Sequence, residues 1–239
     1  MSGVLTIARR ELTGYFRSPA GWIIVALFLF LTGMIFGRYV LVPGRAASLR
    51  DFFAVSGWLL LPVAPAISMR LLAEEIRGGT LESLLTAPVS GAGIVLGKFA
   101  GAMAFLIAML APTGVYLIVL ERVSTIQLDM GPVLAGYLCL VLTGALYLAI
   151  GTLASSMTAN ATLAFLVSLF VILGLMMAPS AAEFLPAWAR PFLFAVAITE
   201  RIGDFAKGVV DSSHVVFMST LAAWFLVLAG CVTEMRRWK

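Results

Sequence analysis

The sequence predicts an all-α integral membrane protein: six transmembrane helices, an amphipathic amino-terminal interfacial helix, a short charged helix between spans two and three, and short outer helices between spans five and six. Three observations predict it. Hydrophobic residues make up 62% of the 239 and charged residues only 12%, with a mean hydropathy of +1.05, which is more apolar surface than a water-soluble domain can hide. The apolar runs each approach or exceed the roughly 20 residues that cross about 30 Å of hydrocarbon. One polar island, from Met69 to Lys98, interrupts them and carries Arg70, Glu74, Glu75, Arg77, Glu82 and Lys98. The whole chain, residues 1–239, reads as a single membrane domain.

In chain order, Val4 to Phe16 places Leu5, Ala8, Leu12 and Tyr15/Phe16 on one helical face, with Arg9, Arg10, Glu11 and Arg17 around the rest. That is the pattern of a helix lying in the interface plane, ending near Ser18-Pro19. No A-x-A-like site follows the first apolar run, so the amino terminus is expected to stay on the mature chain. Six spans follow at about Gly21–Leu41, Phe52–Leu72, Ile94–Leu120, Pro132–Ser155, Ala161–Ala178 and Val215–Val232. An even number puts both termini on one side.

Lys and Arg near the span ends orient the bundle. Arg9, Arg10, Arg17, Arg70, Arg77, Lys98, Arg236, Arg237 and Lys239 collect on one side. Arg38, Arg45, Arg50, Arg122, Arg190, Arg201 and Lys207 collect on the other, the last three in a long loop that translocates with less regard to charge. Both termini and the island of this multi-pass chain are therefore expected in the cytoplasm.

Within the spans, Gly33 and Gly37, and Gly93, Gly97 and Gly101, repeat at four-residue spacing and predict close helix packing. Pro62, Pro65 and Pro112 predict kinks in spans two and three. From Pro179 to Ser213, Ile198, Ile202, Phe205 and Val209 form an apolar stripe, while Arg201, Asp204 and Lys207 are spaced to pair on the wet face. Phe184–Ala197 is apolar enough to dip into the bilayer, broken by Pro186 and Pro191. Asp211 or Ser212 is expected to cap the last span. Cys139 and Cys231 lie in spans as small packing residues, and isolated His214 has no metal-ligand company. Neither a catalytic residue, a metal site nor a bound cofactor is expected.

In the island, Thr80 is a plausible N-cap for a run with Leu81, Leu84 and Leu85 on one side, and Gly78-Gly79 frees the backbone to turn before it. Glu82 and Ser83 fall in the first turn, and Pro88 stops the helix. A peg of two turns cannot stand alone and needs a surface to dock against. Leu81, Leu84 and Leu85 supply an apolar centre, and Glu74, Glu75, Arg77 and Glu82 supply rim charges. The alternative is that these leucines rest on the chain's own membrane helices.

Ser68-Met69-Arg70, Ala73-Glu74-Glu75, Gly79-Thr80-Leu81-Glu82, Leu84 to Ser90 and Leu96-Gly97-Lys98 resemble the signature of type II ATP-binding-cassette (ABC) exporter permeases, closest to the gliding-motility-associated subgroup. The resemblance extends to Glu11-Leu12, Ser18–Gly21, Ile150-Gly151-x-x-Ala154-Ser155-Ser156 and Lys207–Asp211. It implies a permease whose cytoplasmic coupling helix binds a separate ATPase subunit through Glu74, Glu75, Arg77, Gly79, Thr80, Leu81, Glu82, Leu84 and Leu85. It implies a second permease copy or a similar chain, ATP and magnesium held by the ATPase, and a large periplasmic-type subunit as a further partner. Gly78 departs from the subgroup, whose members commonly carry a charged or polar residue there.

No G-x-x-x-x-G-K-[ST] phosphate loop occurs in the chain, so ATP hydrolysis is expected in another polypeptide. An intramembrane enzyme is disfavoured: H-E-x-x-H, G-x-S-x-G and a paired acid within the spans are all missing. A membrane anchor that passes ATP-driven motion to outer partners without transport needs the same peg. Ser56, Thr113, Tyr116, Thr143, Tyr147, Thr152, Thr162 and Ser168 are the main polar groups in the spans, which suits a lipid-like or glycan-bearing amphipathic cargo and equally suits ordinary helix packing.

Overall fold

Residues 2–41, 48–85, 89–124, 129–182, 186, 190, 197–206 and 208–236 are described in a computed structural model, and among them every regular element is helical. Six helical stretches are long and apolar enough to cross a membrane: Pro19–Val40, Arg50–Gly78, Gly91–Val123, Met130–Met157, Ala161–Ser180 and Ser212–Met235.

The first helix, α1 (Ser2–Arg17), is separated from α2 (Pro19–Ile35) by Ser18 alone. Ser18 Oγ accepts from the Gly21 N–H at 3.2 Å, and Pro19 opens the helix where its missing N–H costs nothing. The fold-back is so tight that any side chain at Gly21 would run into the Tyr15 carbonyl. A π-helical turn, Phe36–Val40, completes the first span.

Pro62 and Pro65 do not divide α3 (Arg50–Ser68); the helix runs through both and ends three residues after the second. Pro112 does interrupt the third span, which passes from α6 (Gly91–Leu110) through a 3-10 turn at Ala111–Gly114 into α7 (Val115–Val123). Between α3 and α6 lie α4 (Ala73–Gly78) and α5 (Thr80–Leu85). The chain then forms α8 (Met130–Met157), α9 (Ala161–Ala182), α10 (Thr199–Ala206) and α11 (Ser212–Met235).

α8 is the central element. Two-thirds (67%) of its span window is buried inside the protein, against 22% for the first and last spans. It packs on α11, α3, α9 and α6. The outer spans turn Trp22, Phe30, Phe170 and Trp224 outward, as helices facing lipid do.

α10 tucks Ile198, Ile202 and Phe205 into the bundle. Its apolar stripe is shorter than the sequence suggests: Gly208 takes φ +86° and ends the turn, which leaves Val209 exposed. Arg201 lies 3.5 Å over the Phe217 ring, and Asp204 reaches His214 Nε2 at 3.5 Å. Lys207 and nearly all of the expected bilayer-dipping element at 184–197 lie outside the described residues. Asp211 is the cap of α11, accepting from the Ser213 N–H at 2.8 Å. These bonds hold its carboxyl below the usual range.

The Gly93, Gly97 and Gly101 stripe seats α1. A Cβ at Gly97 would lie 2.9 Å from Ile7 Cβ, and one at Gly101 would lie 2.7 Å from the Ala8 carbonyl oxygen and 2.6 Å from Glu11 Cβ. Backbone contact this close is possible only without side chains. Gly101→Leu should therefore overpack the α1–α6 contact and cost about 1–3 kcal/mol. A lower Tm in detergent and faster proteolysis within α1 are expected, and wild-type values for both would contradict the packing.

Candidate functional site

The island is two helices bent at one left-handed residue. Sequence reasoning expects a single helix beginning after a loose Gly-Gly turn, but Ala73–Gly78 is itself helical, and Gly79, at φ +66°, closes it. The Gly79 N–H donates back to the Ile76 carbonyl, so the glycine is a rigid corner rather than a slack joint. Thr80 is the first residue of α5, and its hydroxyl donates to the Glu75 carbonyl at 3.4 Å across that corner.

The expected docking residues divide into two groups. Glu74, Arg77, Gly79 and Thr80 are exposed. Glu74 also pairs with Arg70 at 3.3 Å, one turn away. Leu81 is instead only 5% exposed, packed with Leu72, Ile94, Val95 and Ala229, and half-buried Leu84 leans on the same cluster. The peg thus rests on the chain's own spans through its leucines, because six isolated residues of helix cannot hold their shape without a packed face. The helical backbone includes Glu82 and Leu85, but their side chains lie outside the described residues.

Glu75 also turns inward, into a cluster of four charges. Lys98, 2% exposed on α6, places Nζ 2.7 Å from Glu11 Oε1 and 2.9 Å from Glu75 Oε1. Arg10 reaches the same Glu75 oxygen at 3.0 Å and lies 3.8 Å from Glu11. Two cations and two carboxylates leave the cluster neutral. A lysine this deep is tolerable only because its charge is matched and hydrogen-bonded.

Two further anchors hold the segment. Ser155 Oγ of α8 accepts from the Leu72 and Ala73 N–H groups, both at 3.0 Å, and donates to the Met69 carbonyl at 3.0 Å. It caps the corner where α3 becomes α4. One turn earlier, Gly151 leaves room for the Ser68 side chain, which bonds its own helix at Ala64. At the other end, Ser90 caps α6, and Glu234 Oε2 near the end of α11 accepts from the Gly91 N–H at 2.9 Å. A carboxylate is well placed at a helix amino terminus. Tyr15 completes the α1 contact, donating to the Ile67 carbonyl at 2.7 Å.

Ser155 and Glu234 escaped sequence reasoning, as did the inward role of Lys98. The Gly151-x-x-x-Ser155 spacing was visible as a motif, but nothing along the chain tied it to residues 69–73.

Several hydroxyls of the spans bond within their own helix or to a neighbouring one, while Ser56 Oγ and the Tyr147 hydroxyl are buried with no hydrogen-bond partner. Thr113 donates to the Leu110 carbonyl, Thr152 to Leu148 and Ser168 to Ala164. Thr32 and Tyr116 meet around the Leu29 carbonyl. These bonds stabilise helices and their contacts.

A bundle of six span-length apolar helices, with an amphipathic first helix and a clamped two-helix segment on the face where α1 and the end of α11 also lie, defines a multi-pass membrane protein. The chain belongs to the ABC-2 family of transporter proteins, whose family model matches residues 5–232. No curated protein matched the chain in a sequence comparison.

Ser155→Ala should strand two buried N–H groups at the α3–α4 corner, at about 1–3 kcal/mol for each unsatisfied donor. Thermal unfolding in detergent should show the loss, and a Tm equal to wild type would contradict the capping role.

Proposed function

We propose that this protein is the permease subunit of an ABC transporter that works with a separate cytoplasmic ATPase, and that the 69–98 segment is where that ATPase docks. The observation that carries the reading is the exposed corner Glu74–Arg77–Gly79–Thr80, braced from behind by three polar anchors and the Leu81 cluster. Membership of the ABC-2 family supplies the rest. Membrane subunits of this family are generally non-catalytic, with the ATPase in a separate subunit.

On this reading α4–α5 is the coupling element, and its contact surface is the polar corner together with Glu82 and Leu85, while Leu81 and Leu84 act as its footing. Both termini and the segment face the cytoplasm of a bacterial inner membrane, which suits the basic residues Arg9, Arg17, Arg70 and Arg77 on that face. ATP and magnesium belong to the partner. Two permease halves, identical or similar, flank the path, and a periplasmic-type subunit is a further partner. With few polar groups in the spans, most of them bonded within the bundle or buried, an amphipathic, lipid-like cargo entering from the bilayer fits better than a fully hydrated one. The same observation favours a second reading, in which the subunit passes motion to outer partners and exports nothing. Proteoliposomes holding the complete complex separate the two by whether a lipid or glycolipid probe moves on ATP addition.

The docking assignment predicts that Arg77→Glu, or one alanine inserted after Gly79, weakens ATPase binding about tenfold or more, equal to about 1.4 kcal/mol or more. Co-purification and titration of the ATPase onto the reconstituted permease measure it. Binding at wild-type strength in both variants would overturn the assignment.

A further inference from the structure

The four-charge cluster lies behind the docking corner and joins three elements that are far apart in sequence. Glu11 and Arg10 belong to α1, Glu75 to α4 and Lys98 to α6. α1 and α6 are already fixed to each other, backbone against backbone, along Gly97 and Gly101. α4 makes no such contact with them, and its one ionic connection to the pair among the described residues is Glu75 on Lys98 and Arg10.

We propose that Lys98 is a positioning residue for coupling: it ties the ATPase-facing segment to the α1–α6 pair, so that movement forced on α4–α5 is delivered to α1 and to the third span together. The inference rests on the permease reading above for the source of the force. A plain packing role is a poor explanation, since well-packed apolar residues usually match or exceed a buried ion pair in stability. What charge adds is a fixed position. One ammonium bonded to a carboxylate on each side, at 2.7 Å and 2.9 Å, holds α4 at one distance from α1, and displacement of either carboxylate leaves a desolvated cation incompletely paired. Glu75 Oε2 is buried without a hydrogen-bond partner, so its carboxylate is held through Oε1 by Lys98 and Arg10. The link is narrow.

The test uses the full-length permease in nanodiscs, with and without its ATPase, comparing wild type with Lys98→Met and Glu75→Gln. In the permease alone, hydrogen exchange in α1 and α4 is expected to rise about tenfold in both variants, with α9 and α10 unchanged. A uniform rise across all helices, or no rise in α4, would overturn the link, and this arm needs no ATPase. With ATPase present, a spin label at Arg9→Cys should report a nucleotide-dependent shift in wild type. Lys98→Met should reduce that response about tenfold while the Kd for the ATPase stays within about twofold. An undiminished response would overturn the proposal. ATPase that fails to bind wild type would instead defeat the permease reading, and exchange would still decide the link. If Lys98→Met does not fold, Glu75→Gln removes one charge at the same contact and is read in the same way. The double variant should match the single ones, as expected for two residues that act as a unit, and additive losses would count against the proposal.

Discussion

The ammonium group of Lys98 is the constraint on which the α1–α4–α6 side of this protein depends. In an apolar chain, a cation with 2% exposure must meet carboxylates at bonding distance, and among the described residues α1 and α4 supply them. Satisfying that one charge brings α1, the polar segment and the third span to a common point. The glycine stripe on α6 makes this possible, because a side chain at Gly97 or Gly101 would hold α1, and Glu11 with it, out of reach.

The remaining anchors follow the same logic. Short helices leave most of their backbone groups unpaired and have little stability of their own. α4 therefore borrows Ser155 at its start and a left-handed glycine at its end, while α5 borrows the Leu72–Leu81–Ile94 cluster. The entry to α6 takes a carboxylate from the last span. Apart from the Gly79 corner, these supports come from the bundle side, and Glu74, Arg77 and Thr80 remain exposed on the outward side.

Much of this was legible in the sequence. Hydropathy and length located six spans, amphipathic periodicity located α1, Ser18-Pro19 marked its end and Asp211 the start of the last span, because these signals are local and repeat within a few residues. The island was legible as polar, but not as two helices: Gly79 reads as a loose turn unless its φ is known, and Thr80, expected as an N-cap, is instead the first residue of α5 with its hydroxyl donating to the Glu75 carbonyl. Leu81 shows why the docking face was harder. A leucine on a short amphipathic helix looks the same whether it waits for a partner or rests on its own bundle, and only the positions of Ile94 and Ala229 decide. Ser155, Glu234 and Lys98 reach Ala73, Gly91 and Glu11 across 82, 143 and 87 residues, and Lys98 reaches Glu75 from a different helix, separations that no periodicity reports. Pro62 and Pro65 are the converse case, a strong local breaking signal that α3 overrides within a packed bundle.

The central claim is that the corner at Gly79–Thr80 faces the cytoplasm and is covered by the ATPase. Thr80→Cys, in a chain whose Cys139 and Cys231 are replaced, can be treated with a membrane-impermeant maleimide in intact cells and in sealed inverted vesicles. Labelling is expected in inverted vesicles alone, with protection when the ATPase is bound. Labelling from outside intact cells, or labelling of inverted vesicles that the ATPase does not slow, would contradict it.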